Sequence, residues 1–200
     1  MLRVGLTGGL ACGKTLVGQE LARLGCLLIQ ADDLGHAVLE PGGEAYDGAV
    51  REFGAGILDE SGRIDRRRLA AEVFGQPERL AALKALVHPP VVRREEEAIA
   101  AFAARDPRGI AVVEAAILIE TGSYRRFDRI VLVVCTEEQQ IERAVGRGTT
   151  RAEVALRLSR QMPLAEKKKY ADYVIDSSGA KADTLCHVRQ LYEELRRIEA

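Results

Sequence analysis

Gly8-Gly9-Leu10-Ala11-Cys12-Gly13-Lys14-Thr15 fits the pattern G-x-x-x-x-G-K-[ST], and its flanks leave the chain few architectures to choose from. Ahead of it, Leu2-Arg3-Val4-Gly5-Leu6 reads as a short buried strand; behind it, Val17, Leu21 and Leu24 are spaced for one face of a helix. A strand, a glycine turn and a helix N-terminus together make an anion site, because free backbone N–H groups and the helix dipole both favour negative charge there. Gly8, Gly9, Ala11, Cys12, Gly13 and Leu16 would follow the phosphates along the backbone. Lys14 would reach the outer phosphates, and the Thr15 hydroxyl would ligate Mg²⁺. The loop implies a bound nucleoside triphosphate and says nothing about what receives the phosphate.

The 200 residues suffice for one α/β domain with inserted subdomains. With 47% apolar residues and no Trp, the core must be built from Leu, Val, Ile and Ala. A formal net charge of −1 argues against an obligate nucleic-acid binder. Arg66-Arg67-Arg68, Arg125-Arg126 and Lys167-Lys168-Lys169 read as solvated helix faces or ends. Cys12, Cys26, Cys135 and Cys186 lack C-x-x-C spacing and a nearby His pattern, so they read as reduced, mostly buried thiols. Neither a signal peptide nor a membrane-length apolar run is visible, since Glu114 and Glu120 interrupt the longest candidate. These features suggest a cytoplasmic protein that binds small molecules, neither nucleic acid nor membrane.

Five apolar runs are strand candidates: Leu2–Leu6, Cys26–Ile29, Ile110–Val113, Ile130–Val134 and Tyr173–Ile175. Their alternation with helical patterns predicts an α/β fold with a five-stranded parallel sheet covered on both faces. In the last helix, Leu185, Val188, Tyr192 and Leu195 form one stripe, with Leu191 and Ile198 beside it. Roughly eighty residues separate the second and third strands, far more than most connections use. Helical pieces are expected there at Tyr46–Phe53, Leu69–Phe74, Leu80–Val87 and Val91–Ala104, with a break at His88-Pro89-Pro90. The division expected is a core of 1–35, 105–136 and 167–200, a helical acceptor-binding insert of 36–104, and an arginine-bearing lid of 137–166.

Phosphoryl transfer needs alignment, charge neutralisation and a group that accepts the nucleophile's proton. Asp32, just past strand two, is the candidate general base, and Asp33 a cap for the next helix. Glu114, at the end of strand three, is a second acidic candidate beside metal and acceptor. Arg143 is the first candidate for a clamp on phosphate charge and Arg147 the second. His88 reads either as an acceptor-phosphate contact or as a helix-end residue. Asp32-Asp33-Leu34-Gly35 also fits D-x-x-G, but no N-K-x-D for guanine recognition accompanies it. The residues alone leave a kinase with a large acceptor, a nucleoside monophosphate or small-alcohol kinase, and a nucleotide-dependent switch.

In order and spacing, these segments resemble the dephospho-CoA kinase family across almost the whole chain. The resemblance runs through Gly5–Gly9 into Gly13-Lys14-Thr15, then Ala31-Asp32, Glu40-Pro41-Gly42, Phe53-Gly54 and Gly62–Arg66. It continues through His88-Pro89, Leu118-Ile119-Glu120, Arg143 with Arg147, Gln161 and Ala171–Asp176. It implies a nucleotide-kinase core, a helical CoA-binding insert, a lid, and Mg²⁺-dependent transfer from ATP to the ribose 3′-hydroxyl of 3′-dephospho-CoA. Asp32 then matches the catalytic aspartate and Arg143 the lid arginine. Asp32, His88, Glu114 and Leu118 would face the acceptor in a monomer or weak homo-oligomer. Gln30, His36, Ala116, Ile119 and Ser177 depart from common family residues. Ala11 replaces a usual glycine, which is tolerable if its φ stays below zero.

Overall fold

The computed structural model describes residues 1–198. The strands are β1 (Leu2–Gly8), β2 (Leu27–Gln30), β3 (Ile110–Glu114), β4 (Arg129–Val134) and β5 (Tyr173–Asp176). The helices are α1 (Lys14–Arg23), α2 (Ala31–Ala37), α3 (Tyr46–Phe53), α4 (Arg66–Val73), α5 (Pro77–Ala103), α6 (Glu137–Val145), α7 (Arg151–Arg160), α8 (Leu164–Lys167) and α9 (Lys181–Ile198). They form two compact units, one of Met1–Gln30 with the chain from Ile99 onward, the other of Ala31–Ala98.

The first unit holds a parallel sheet in the order β2-β3-β1-β4-β5. Each apolar run expected to be a strand falls in one of these five, except that Cys26 lies one residue ahead of β2. β1 is central, with Leu2 opposite Ile110 of β3 and Gly8 opposite Val133 of β4. Its apolar residues are buried along its whole length, as are those of β3 and β4, because a parallel sheet has helices on both faces. Val17 and Leu21 of α1 and Val188, Leu191 and Leu195 of α9 join the same core.

The buried stripe of α9 is Thr184, Val188, Leu191 and Leu195. Leu185 and Tyr192 flank it half-buried and Ile198 is exposed, so the stripe is rotated from its sequence assignment. The polar Thr184 takes the inward position because its hydroxyl donates back to the Ala180 carbonyl at 3.4 Å, within its own chain segment.

In the second unit, Ala49, Phe53, Ile57 and Leu69 pack with Leu83 and Leu86, and Val38, Ala45 and Val91 pack with Val87. The break expected at His88-Pro89-Pro90 does not occur: α5 runs through both prolines. Each proline removes one backbone donor, a cost that would end an isolated helix. Here Leu83, Leu86, Val87 and Val91 anchor the turns on either side, so packing decides the outcome. Asp65 caps α4, accepting from the backbone N–H groups of Arg67 at 2.7 Å and Arg68 at 3.1 Å. Asp33 lies inside the first turn of α2 instead of capping it.

Glu20 ties α1 to α9. Its carboxylate, only 6% exposed as a residue, meets Arg23 Nε at 2.8 Å and Arg189 Nε at 2.8 Å. The hydrogen bond from Arg23, then that from Arg189, holds its pKa at about 2 against an ordinary 4.5. A lowered carboxylate pKa contributes stability above about pH 4.5 that is lost as pH falls through about 2. Glu20→Gln is therefore expected to lower Tm at pH 7, with the gap to the parent closing between about pH 4.5 and 2; thermal melts across that window check it.

Candidate active site

β1 delivers Gly8 to the carboxyl edge of the sheet, and the chain turns through Gly9–Gly13 into α1. Gly13, at the helix N-cap, has φ 84°, a left-handed backbone that glycine adopts without penalty. Ala11 has φ 54°, so the condition under which alanine would replace glycine there without strain is not met, and among the described residues it is the only non-glycine with positive φ. The loop path fixes this conformation whatever side chain occupies it, and a Cβ there costs about 1–2 kcal/mol. Ala11→Gly is expected to raise stability by about 1 kcal/mol at unchanged m, read from the urea midpoint.

Side chains from distant segments hold the loop. Ser177 Oγ lies 2.7 Å from the Cys12 carbonyl and 3.1 Å from that of Val134. Gln161 Oε1 accepts from the Leu10 N–H at 3.1 Å. Lys14 Nζ donates to the Gly9 carbonyl at 2.9 Å and the Gly8 carbonyl at 3.3 Å, which folds the ammonium over the loop. Thr15 Oγ1 donates to Glu114 Oε1 at 3.3 Å. A hydroxyl and a carboxylate side by side are hard oxygen donors of the kind Mg²⁺ prefers.

Thr136 opens α6 with a reciprocal capping box to Gln139, and this places Arg143 in the last turn. Arg143 Nη2 donates to the Ser177 carbonyl at 2.8 Å and Nη1 to Ser177 Oγ at 3.3 Å. The residues Ala11 to Leu16, Arg143, Arg147, Ser177 and Lys181 thereby line one cavity of about 610 Å³. Arg151 lines a second cavity of about 750 Å³ on the Gly9 side of the loop, while Arg157 and Arg160 are exposed.

Other expected site residues are not among those lining this cavity. Leu118 is 3% exposed, with Cδ2 2.5 Å from where a Cβ on Gly5 would stand, so its side chain fills the core under β1 and presents no substrate-facing surface. Asp32 is exposed in the first turn of α2, and His88 is exposed on α5, both in the second unit. Desolvation, followed by Lys84 one turn earlier, lowers the His88 pKa.

Lys167, expected on a solvated face, is fully buried. Its ammonium pairs with Glu120 Oε1 at 2.9 Å and donates to the Ala116 carbonyl at 3.0 Å; Glu120 Oε1 also accepts from the Met162 N–H at 3.0 Å. The pair clamps the segment beside Gln161 to the loop after β3. Three consecutive lysines gave no sign of it, because the partner lies far away in sequence. Lys167→Ala is expected to be destabilising, toward the lower end of the roughly 3–5 kcal/mol of a broken buried pair, because the half-buried Glu120 loses its counter-ion. Lys167→Met with Glu120→Leu should recover most of that in denaturant titrations.

A five-stranded parallel sheet whose central strand runs into this loop, with arginines converging on the loop cavity, defines a P-loop kinase. Residues 2–183 match the family described as dephospho-CoA kinase. The chain is 41% identical over 197 residues to the dephospho-CoA kinase of Aquifex aeolicus, covering 98% of this chain and 99% of that one. It is 38% identical over 203 residues to that of Geobacillus kaustophilus, covering 100% and 98%. A protein of Thermus thermophilus superposes with a TM-score of 0.84 at 32% identity, covering 97% of both chains. The dephospho-CoA kinase of Campylobacter jejuni shares the fold with a TM-score of 0.72 at 22% identity, covering 99% and 98%. The chain belongs to the dephospho-CoA kinase family: it is an enzyme that phosphorylates dephospho-CoA with ATP, the final step of coenzyme A biosynthesis.

Proposed function

We propose that ATP occupies the 610 Å³ cavity, its phosphates along Gly8 to Thr15, and that the Ala31–Ala98 unit takes the 3′-dephospho-CoA acceptor. The observation that carries this reading is the convergence of the loop, Arg143 and Arg147 on one cavity at the carboxyl edge of β1. Lys14 and the loop amides hold the phosphates, and Leu16 continues the cradle into α1. Arg143, oriented by its bonds to Ser177, neutralises the charge that develops on the transferring group, with Arg147 beside it. Thr15 and Glu114 offer oxygens to Mg²⁺, which when bound supplies charge neutralisation between the phosphates.

Asp32 takes the proton of the ribose 3′-hydroxyl as that oxygen bonds to the γ-phosphorus and the bond to the β-phosphate oxygen breaks, releasing ADP. Its support is an exposed carboxylate two residues past β2, which the resemblance to the family matches to the catalytic aspartate. His88 adds a contact to an acceptor phosphate. Among the described residues no helix is long and apolar enough to cross a membrane, in keeping with a cytoplasmic enzyme. ADP release should be stimulated by 3′-dephospho-CoA and by neither AMP nor a blank. Asp32→Asn should lower kcat by about 10²–10⁴-fold with ATP binding retained. Near-normal turnover in that variant would remove Asp32 from the role, and equal release without acceptor would indicate hydrolysis.

A further inference from the structure

Cys12 lies inside the phosphate loop and Cys135 directly after β4, 123 residues apart in sequence, yet their sulfurs are 3.2 Å apart. A disulfide needs about 2.05 Å, so a movement of little more than 1 Å would join them. The other two cysteines offer no such pair. Cys26 is buried, and that burial pushes its thiol up to about 12; Cys186 is exposed on α9. We propose that Cys12 and Cys135 form a reversible disulfide that ties the phosphate loop to the root of α6 and switches phosphoryl transfer off under oxidation.

Three observations support it. Cys135 lines the 750 Å³ cavity and Cys12 is among the residues lining the 610 Å³ cavity, so a small oxidant can approach the pair from either side of the loop. On the Gly9 side the Cys12 sulfur is closely packed, since a Cβ on Gly9 would stand 2.9 Å from Sγ and 2.5 Å from Gln140 Oε1. Cys135 is the thiol already in contact with it, at 3.2 Å. The hydrogen bond from Cys135, then the charge of Lys14, outweighs burial and lowers the Cys12 pKa to about 7, while the same bond raises that of Cys135. Thiolate character on the attacking sulfur is what peroxide chemistry requires.

The oxidant is a hydroperoxide. The Cys12 thiolate attacks one peroxide oxygen and the O–O bond breaks. Hydroxide leaves and takes a proton to become water, and Cys12 is left as a sulfenic acid. The Cys135 sulfur then attacks the Cys12 sulfur, loses its proton and expels the second hydroxide as water. Two electrons from the two thiols reduce one hydrogen peroxide to two waters. In the product, Cys12 is held to Cys135, one residue before the Thr136 cap of the helix that carries Arg143. Displacing such positioned groups by about 1 Å costs on the order of 10²-fold in rate.

The test is titration of the reduced full chain with hydrogen peroxide, followed by non-reduced peptide mapping and turnover with ATP and 3′-dephospho-CoA. Expected are a Cys12–Cys135 linked peptide, a fall of about 10²-fold in kcat/KM, and recovery with dithiothreitol. Cys135→Ala should keep its untreated activity and resist peroxide. Absence of the linked peptide overturns the proposal, as does a linked protein with undiminished turnover or equal inactivation of Cys135→Ala. The map on the wild-type chain needs neither a variant nor a substrate, so its failure is separable from failure of the site assignment.

Discussion

β1 is hydrogen-bonded on both sides, to β3 and to β4, and everything else in the sheet-bearing unit depends on that placement. A strand in the middle of a parallel sheet has no freedom to slide, because each shift in register would break two ladders and misplace buried side chains on both faces. Its carboxyl end is therefore a fixed point from which the glycine loop projects. The strand order reverses around β1, so the connections diverge and leave a crevice there.

The loop is held less by its own turns than by groups that the sheet brings to it. Ser177, after β5, reaches the Cys12 carbonyl; Gln161, between α7 and α8, takes the Leu10 N–H; Glu114 of β3 receives the Thr15 hydroxyl. The one hydroxyl of Ser177 serves the loop, the β4 carbonyl and Arg143 together. The Glu120–Lys167 pair, in which the lysine is fully buried, acts at one remove by fixing the segment that carries Gln161. The shape of the glycine loop is thus held jointly from β3, from the segment after β5 and from the helical segment after β4.

Much of the fold was legible along the chain. Continuous apolar runs marked all five strands, since buried parallel strands require them, and Tyr46–Phe53 of α3 was bounded by turn residues at both ends. What failed to read were balances between a local penalty and a distant reward. Pro89 and Pro90 signal a break, but α5 continues because residues on both sides are packed. Lys167 signals solvent, but Glu120 pairs with it inside. Ala11 would be unstrained only at negative φ, but the loop path imposes the opposite.

The sequence by itself determined the chemistry on offer: a glycine-rich loop with Lys14 and Thr15, acidic groups at strand ends, and arginines after β4. Those are properties of residue types and short spacings, and local physics is enough to read them. Only the tertiary structure decided which of these groups share a cavity, which are core, and which sulfurs face each other. Arg143 was separated from Cys12 by more than a hundred residues until β4 and β5 placed α6 and Ser177 beside the loop. Leu118 went to the core because β1 offers it Gly5 to pack on. Cys12 and Cys135 met because β1 and β4 are neighbours ending at the same edge of the sheet. Contacts of that kind are set by strand order, which no short stretch of sequence encodes.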